Sequence, residues 1–114
     1  MNDKVIYPTI SEEELKELLQ MEGHRPFLVV FTADWLGEGT IMDAIVKSIS
    51  WDLHEKMSFY RMDFEKCRNI FHQLGIQELP ALFFFRDGES IDHISGLMPK
   101  HALLGWLNQL IGDF

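Results

Sequence analysis

The stretch "FLVVFTADWLGEG", Phe27 to Gly39, decides the fold. Its first half, Phe27 to Thr32, is a nearly continuous apolar run with two valines and two phenylalanines. That pattern marks a strand covered on both faces, since a strand with one wet face alternates apolar and polar residues. From Thr40 to about Lys56, Ile41, Ala44, Ile45, Ile49 and Leu53 then recur at three- and four-residue spacing, which predicts a helix. Between the two lies a short turn, "WLGEG". A buried central strand that feeds a turn and then a helix opens a crossover, the connection that parallel strands require.

The rest of the chain extends that unit in both directions. Upstream, "KVIY", Lys4 to Tyr7, reads as a short strand, and "SEEELKELLQME" places Ser11 and Glu14 in capping-box spacing with Leu15, Leu18 and Leu19 on one helix face. Gly23 is expected to stop that helix. Downstream, "MSFYRMDF" reads as a strand and "EKCRNIFHQLG" as a short helix that Gly75 terminates. In "PALFFFRDGESIDHI" two β-rich runs flank Asp87-Gly88, a strong turn signal for an antiparallel hairpin. The last helix opens near Pro99 and carries Leu103, Leu104, Leu107, Leu110 and Ile111. The expected order is β-α-β-α-β-α-β-β-α, a central mixed β-sheet flanked by helices in one α/β domain spanning residues 1–114.

Composition narrows the function classes. The chain has 114 residues, 46% hydrophobic and 25% charged, enough to bury the core of one domain. A net charge of -8 argues against nucleic acid as a partner, because phosphate affinity comes mainly from clustered Lys and Arg. "MNDKVIYPTISEEE" shows no basic stretch followed by an apolar one, and no apolar run approaches the ~20 residues that span a bilayer. The expectation is a cytoplasmic protein without a membrane partner.

Chemistry-bearing patterns are sparse. Cys67 is the only cysteine, which excludes an internal disulfide and a cysteine-based zinc site. His24, His54, His72, His93 and His101 form no metal-ligand spacing, and "GEG" lacks the lysine and hydroxyl of a phosphate loop. Neither a metal nor a cofactor is expected.

At this point the residues carry a resemblance to the thioredoxin family across nearly the whole chain. "VVFTADWLGEG" is similar to the family's strand leading into its Trp-Cys-Gly-Pro-Cys motif, with Ala33, Trp35 and Gly37 in matching places. "LGIQELPALFFFRDGE" resembles the segment containing the family's cis-proline, which makes Pro80 that proline and Leu79 the residue before it. "SGLMPKHALLGWL" resembles the family's glycine after the last strand, here Gly96, with the closing helix behind it. The resemblance implies the thioredoxin fold.

The departures from the family pattern bear on function. Leu36 stands at the position of the attacking cysteine, Gly39 at that of the resolving one, and Glu38 replaces the proline between them. Val30 takes the place of the family's buried aspartate. Thiol-disulfide exchange needs a thiolate to attack and a second sulfur to release the mixed disulfide, and leucine and glycine supply neither. The family's oxidoreductase activity is therefore not expected.

Two functional expectations follow. In the family, the active-site turn, the cis-proline loop and the glycine loop hold an extended polypeptide. The matching residues here are Trp35, Leu36, Gly37, Glu38, Gly39, Leu79, Pro80 and Gly96, with Leu97 beside them. The first expectation is a redox-inactive protein that binds a protein or extended peptide through this groove, as an adaptor, assembly factor or chaperone. The alternative is an oxidoreductase-related role for Cys67 as a single thiol near a helix start, opposed by the charges of Asp63 and Glu65.

Overall fold

The fold is described from a computed structural model, which covers residues 6–112 apart from 22 and 24. The elements are α1 (Glu12–Gln20), β1 (Phe27–Thr32), α2 (Gly37–Leu53), β2 (Ser58–Asp63), a 3-10 turn (Phe64–Lys66), α3 (Arg68–Leu74), β3 (Ala81–Arg86), β4 (Glu89–Ser95) and α4 (Lys100–Gly112). They build a four-stranded sheet in the order β2-β1-β3-β4. β1 runs parallel to β2 and antiparallel to β3, and β3 runs antiparallel to β4. The mixed sheet matches the expectation from the element order, and the interior position of β1 matches what the apolar run predicts.

The burial of β1 on both faces explains that run. Phe27, Val29 and Phe31 point into one apolar cluster with Leu15, Met62, Ile70, Phe71, Phe83 and Phe85, the layer covered by α1 and α3. Leu28 and Val30 point into the other, with Met42, Val46, Ile49, Leu82, Phe84, Leu103 and Leu107, the layer covered by α2 and α4. Each fully buried large side chain contributes about 1.5–3 kcal/mol, so the two layers supply the main driving force for folding. Val30 is one such residue, a valine sealed in apolar surroundings.

Local chemistry fixes the ends. The Ser11 hydroxyl accepts from the Glu14 N–H while the Glu14 carboxylate accepts from the Ser11 N–H, completing the capping box of α1. Gly75 ends α3 in the left-handed conformation. Asp87 and Gly88 both have positive φ, 54° and 79°, as a two-residue hairpin turn of the right hand requires.

Three sequence expectations need correction. The first strand was expected at Lys4–Tyr7, of which Lys4 and Val5 lie outside the described residues, while Ile6 and Tyr7 form a bend. Pairing occurs instead at Pro8–Ile10: the Arg61 N–H donates to the Pro8 carbonyl and the Ile10 N–H to the Arg61 carbonyl, giving a single parallel bridge at Thr9. Pro8 has no N–H to donate, so a regular ladder cannot run through it. Second, α2 starts at Gly37 rather than Thr40, because a glycine-rich first turn carries no apolar periodicity to read. Third, the helix expected across 65–75 is broken at Cys67, whose φ of -142° is not helical. There the Asp63 carboxylate accepts from the Glu65 N–H and caps a separate 3-10 turn.

Candidate functional site

Strand register brings the expected site residues to one end of the sheet. Phe31 pairs with Ala81, and Ala81 pairs with Ser95. The turn after β1, the loop before β3 and the turn after β4 therefore emerge side by side, at strand spacings of about 4.8 Å. The Leu79-Pro80 bond is cis, and the Gly96 N–H donates to the Pro80 carbonyl at 2.7 Å, tying two of these loops together. Gly96 adopts φ 88°, a conformation that favours glycine.

The residues differ in what they offer to a partner. Trp35 is 64% exposed and Leu97 45%, so both present large apolar surface. Leu36, the N-cap residue of α2, is half-buried and makes no side-chain capping bond; Leu79 is half-buried as well. Leu79 lies outside the ladder, which begins at Ala81, leaving its main chain beside the exposed side chains. Pro80 and Gly39 are buried, so both shape the face from below rather than touch a partner. Gly37 and Glu38 are exposed in the first turn of α2.

Gly39 has a structural explanation that sequence reading missed. A Cβ built on it would lie 2.1 Å from the Thr32 hydroxyl oxygen, far inside any real contact. Thr32 is fully buried at the end of β1, and among the described residues its hydroxyl has no hydrogen-bond partner. The volume that a side chain at position 39 would need is thus filled by a β-branched neighbour whose χ1 is restricted. Gly37, two residues earlier, faces open space. The available signal was Thr32 itself, the one polar residue in an otherwise apolar strand.

A partly buried polar network anchors the turn. Arg61 of β2 donates through Nε to Asp43 Oδ2 at 3.0 Å and through a terminal nitrogen to Asp34 Oδ1 at 2.9 Å. The Tyr7 hydroxyl donates to Asp43 Oδ1 at 2.7 Å. Burial, then the Asp43 charge and hydrogen bond, push the Tyr7 hydroxyl well above its ordinary pKa. One guanidinium thereby links the turn after β1 to the second turn of α2.

Cys67 is not a member of this face. Its side chain is in the core, only 2% exposed, and the thiol donates to the Asp63 carbonyl at 2.8 Å. Burial pushes its pKa up to about 12, aided by the charges of Glu12 and Asp63. Asp63 was legible as an opposing charge; Glu12 was not, because only the fold brings it to the start of α3, where it accepts from the Ile70 N–H at 3.1 Å. The alternative reading of Cys67 as a thiol activated by a helix start gains no support: the side chain is buried, and its environment favours the protonated form. Among the described residues, no three His, Cys, Asp or Glu side chains group as metal ligands, and His24 lies outside them. No helix among those residues is long and apolar enough to cross a membrane.

Comparison with known proteins agrees with this arrangement. A family model described as Thioredoxin matches residues 7–109. The thioredoxin of Rickettsia felis is 35% identical over 96 residues, covering 84% of this chain and 90% of that protein. The thioredoxin of Rickettsia bellii is 32% identical over 111 residues, covering 97% of this chain and 100% of that protein. The crystal structure of Malassezia sympodialis thioredoxin matches with a TM-score of 0.82 at 22% identity, over 97% of this chain and 95% of that one, a likeness of fold.

Proposed function

The chain belongs to the thioredoxin family, and we propose that this member binds extended polypeptide without thiol chemistry, as an adaptor, assembly factor or chaperone. The observation that carries the reading is the convergence of three loops on one face. That face keeps an exposed Trp35 and Leu97 beside the main chain of Leu79, while its cysteine positions hold Leu36 and Gly39. Apolar side chains next to main chain outside the sheet ladder are what an added β-segment uses: main-chain bonds give affinity and side-chain contacts give selectivity. With one cysteine in the chain, no intrachain disulfide can form. Use of Cys67 alone would require its thiol to leave the core and lose a proton held up to about pH 12.

The test is nuclear magnetic resonance of the isotope-labelled chain titrated with unstructured apolar peptides. The expected result is movement of the Trp35 indole and the Leu79 and Gly96 amide signals, abolished or weakened by Leu36→Glu. Shifts confined to another surface would overturn the reading. A parallel assay of protein disulfide reduction with dithiothreitol as electron donor should show no acceleration by the chain. Acceleration that disappears in Cys67→Ser would transfer the assignment to single-thiol chemistry.

A further inference from the structure

The charges around this face are one-sided. The turn after β1 carries Asp34 and Glu38, the loop before β3 carries Glu78, and residues 33–39, 75–80 and 96–99 contain no lysine or arginine. Of the nearby cations among the described residues, only Arg61 is paired with carboxylates, while Lys100 and Arg68 keep their charge but are held to groups outside these loops. Arg61 is held by Asp43 and Asp34, and Lys100 donates to the Ser48 hydroxyl at 2.7 Å. On the β2 side, Arg68 lies over the Phe64 ring and Lys66 faces a cleft shared with Glu12, Glu13, Glu14 and Asp63. Asp34 remains 79% exposed despite its ion pair, so its second oxygen still faces solvent.

The carboxylates also bracket the apolar centre. Glu78 extends towards the β4 side, its Oε2 lying 3.5 Å from where a Cβ on Gly96 would sit. Asp34 and Glu38 stand on the β1 side, flanking Trp35 and Leu36. β3 lies between β1 and β4, so the two acidic rims are about 10 Å apart at ordinary strand spacing. An extended chain advances about 3.3 Å per residue, so that span corresponds to about three residues.

We propose that the preferred occupant of this face is an extended, basic-apolar segment: a large apolar residue over Trp35 and Leu79, with Lys or Arg within about three positions on either side. This rests on the polypeptide-binding reading above and names the partner chemistry. Rim charges at such an interface steer encounter and select partners more than they add affinity. An acidic segment meets like charge on both rims, and a neutral one gains only the apolar contact.

The test uses three synthetic peptides of one length with the same central phenylalanine, flanked by lysines, glutamines or glutamates. Affinity is read by calorimetry, and location by the Trp35 and Gly96 signals. The lysine peptide is expected to bind about three- to tenfold more tightly than the glutamine peptide at low salt, the scale of a few exposed ion pairs, and this gap should close in high salt. The double variant Glu38→Gln/Glu78→Gln should narrow it at least about twofold, Asp34 remaining, while Glu55→Gln, beyond the far end of α2, should leave it intact. Equal binding of lysine and glutamine peptides at the Trp35 signal would overturn the charge preference and leave the face as a polypeptide site. A lysine preference undiminished by Glu38→Gln/Glu78→Gln would reduce it to attraction by the whole acidic protein. If no peptide moves the Trp35 or Gly96 signals, both readings fall.

Discussion

The turn at Trp35 to Gly39 and the segment around Cys67 divide between them what a thiol enzyme keeps together. The turn has exposure and a position at the converging ends of three strands, yet no sulfur. Cys67 has the sulfur, yet it sits in the core with its thiol bonded to a main-chain carbonyl and its charged form disfavoured. A reactive cysteine needs access and thiolate in one place. Here neither region has both, which fits the loss of dithiol chemistry in a chain with one cysteine.

The largest test of that division is chemical labelling of Cys67. A pKa raised from 9.0 to about 12 lowers the thiolate fraction near neutral pH by about a thousandfold, since each unit is a factor of ten, and burial slows the reagent further. Labelling of the native chain at pH 8 should therefore be at least about a thousandfold slower than in denaturant. A rate within tenfold of the unfolded chain would break the comparison. The same shift fixes a sign for stability. The folded thiol keeps a proton that the unfolded chain sheds as pH rises, so stability should fall between about pH 9 and pH 12. Tyr7, also shifted upward, adds to the loss above its ordinary pKa near 10. Urea midpoints at pH 7, 9 and 10.5 should decline, and Cys67→Ala should decline less steeply across that range.

The two glycines of the turn give the next test. Alanine normally favours a helix over glycine by about 1 kcal/mol. At Gly37, where an added Cβ meets nothing within 4 Å, that gain should appear as stabilisation of a few tenths to about 1 kcal/mol. At Gly39 the added methyl meets the Thr32 hydroxyl, and overpacking of this kind costs about 1–3 kcal/mol. Gly37→Ala and Gly39→Ala should thus shift the urea midpoint in opposite directions. Thr32→Ala should relieve part of the second cost in a double-mutant cycle. Two shifts of the same sign would show that Thr32 moves freely. They would also show that a cysteine at position 39 could return without rebuilding its surroundings.

These examples show which features could be read from the sequence. Features written in adjacent residues were legible: the Ser11–Glu14 capping box, the Asp87-Gly88 turn and the two-sided burial of Phe27 to Thr32 all depend on chemistry within a few positions. The family resemblance placed Pro80 and Gly96, and register then set their loops side by side. What escaped depends on distant partners. Glu12 bears on Cys67 across 55 positions of chain, and Arg61 reaches back to both Asp34 and Asp43. Glycine hides its environment most completely, because the burial of Gly39 leaves no apolar side chain to betray the true start of α2.

The smallest expected effect concerns Thr32 alone. Its hydroxyl is buried without a partner among the described residues, and leaving such a group unsatisfied costs about 1–3 kcal/mol. Thr32→Val exchanges the hydroxyl for a methyl of similar shape and removes that penalty. The methyl is bulkier than oxygen and lies against the backbone of Gly39, so crowding takes back part of the gain. The expected net stabilisation is a few tenths to about 1 kcal/mol, read as a higher urea midpoint with an unchanged slope. A loss greater than about 1 kcal/mol would mean that the hydroxyl is bonded in solution, most simply to a buried water. The space opposite Gly39 would then be held by a polar requirement, and the difference from Gly37 would rest on hydration rather than steric exclusion.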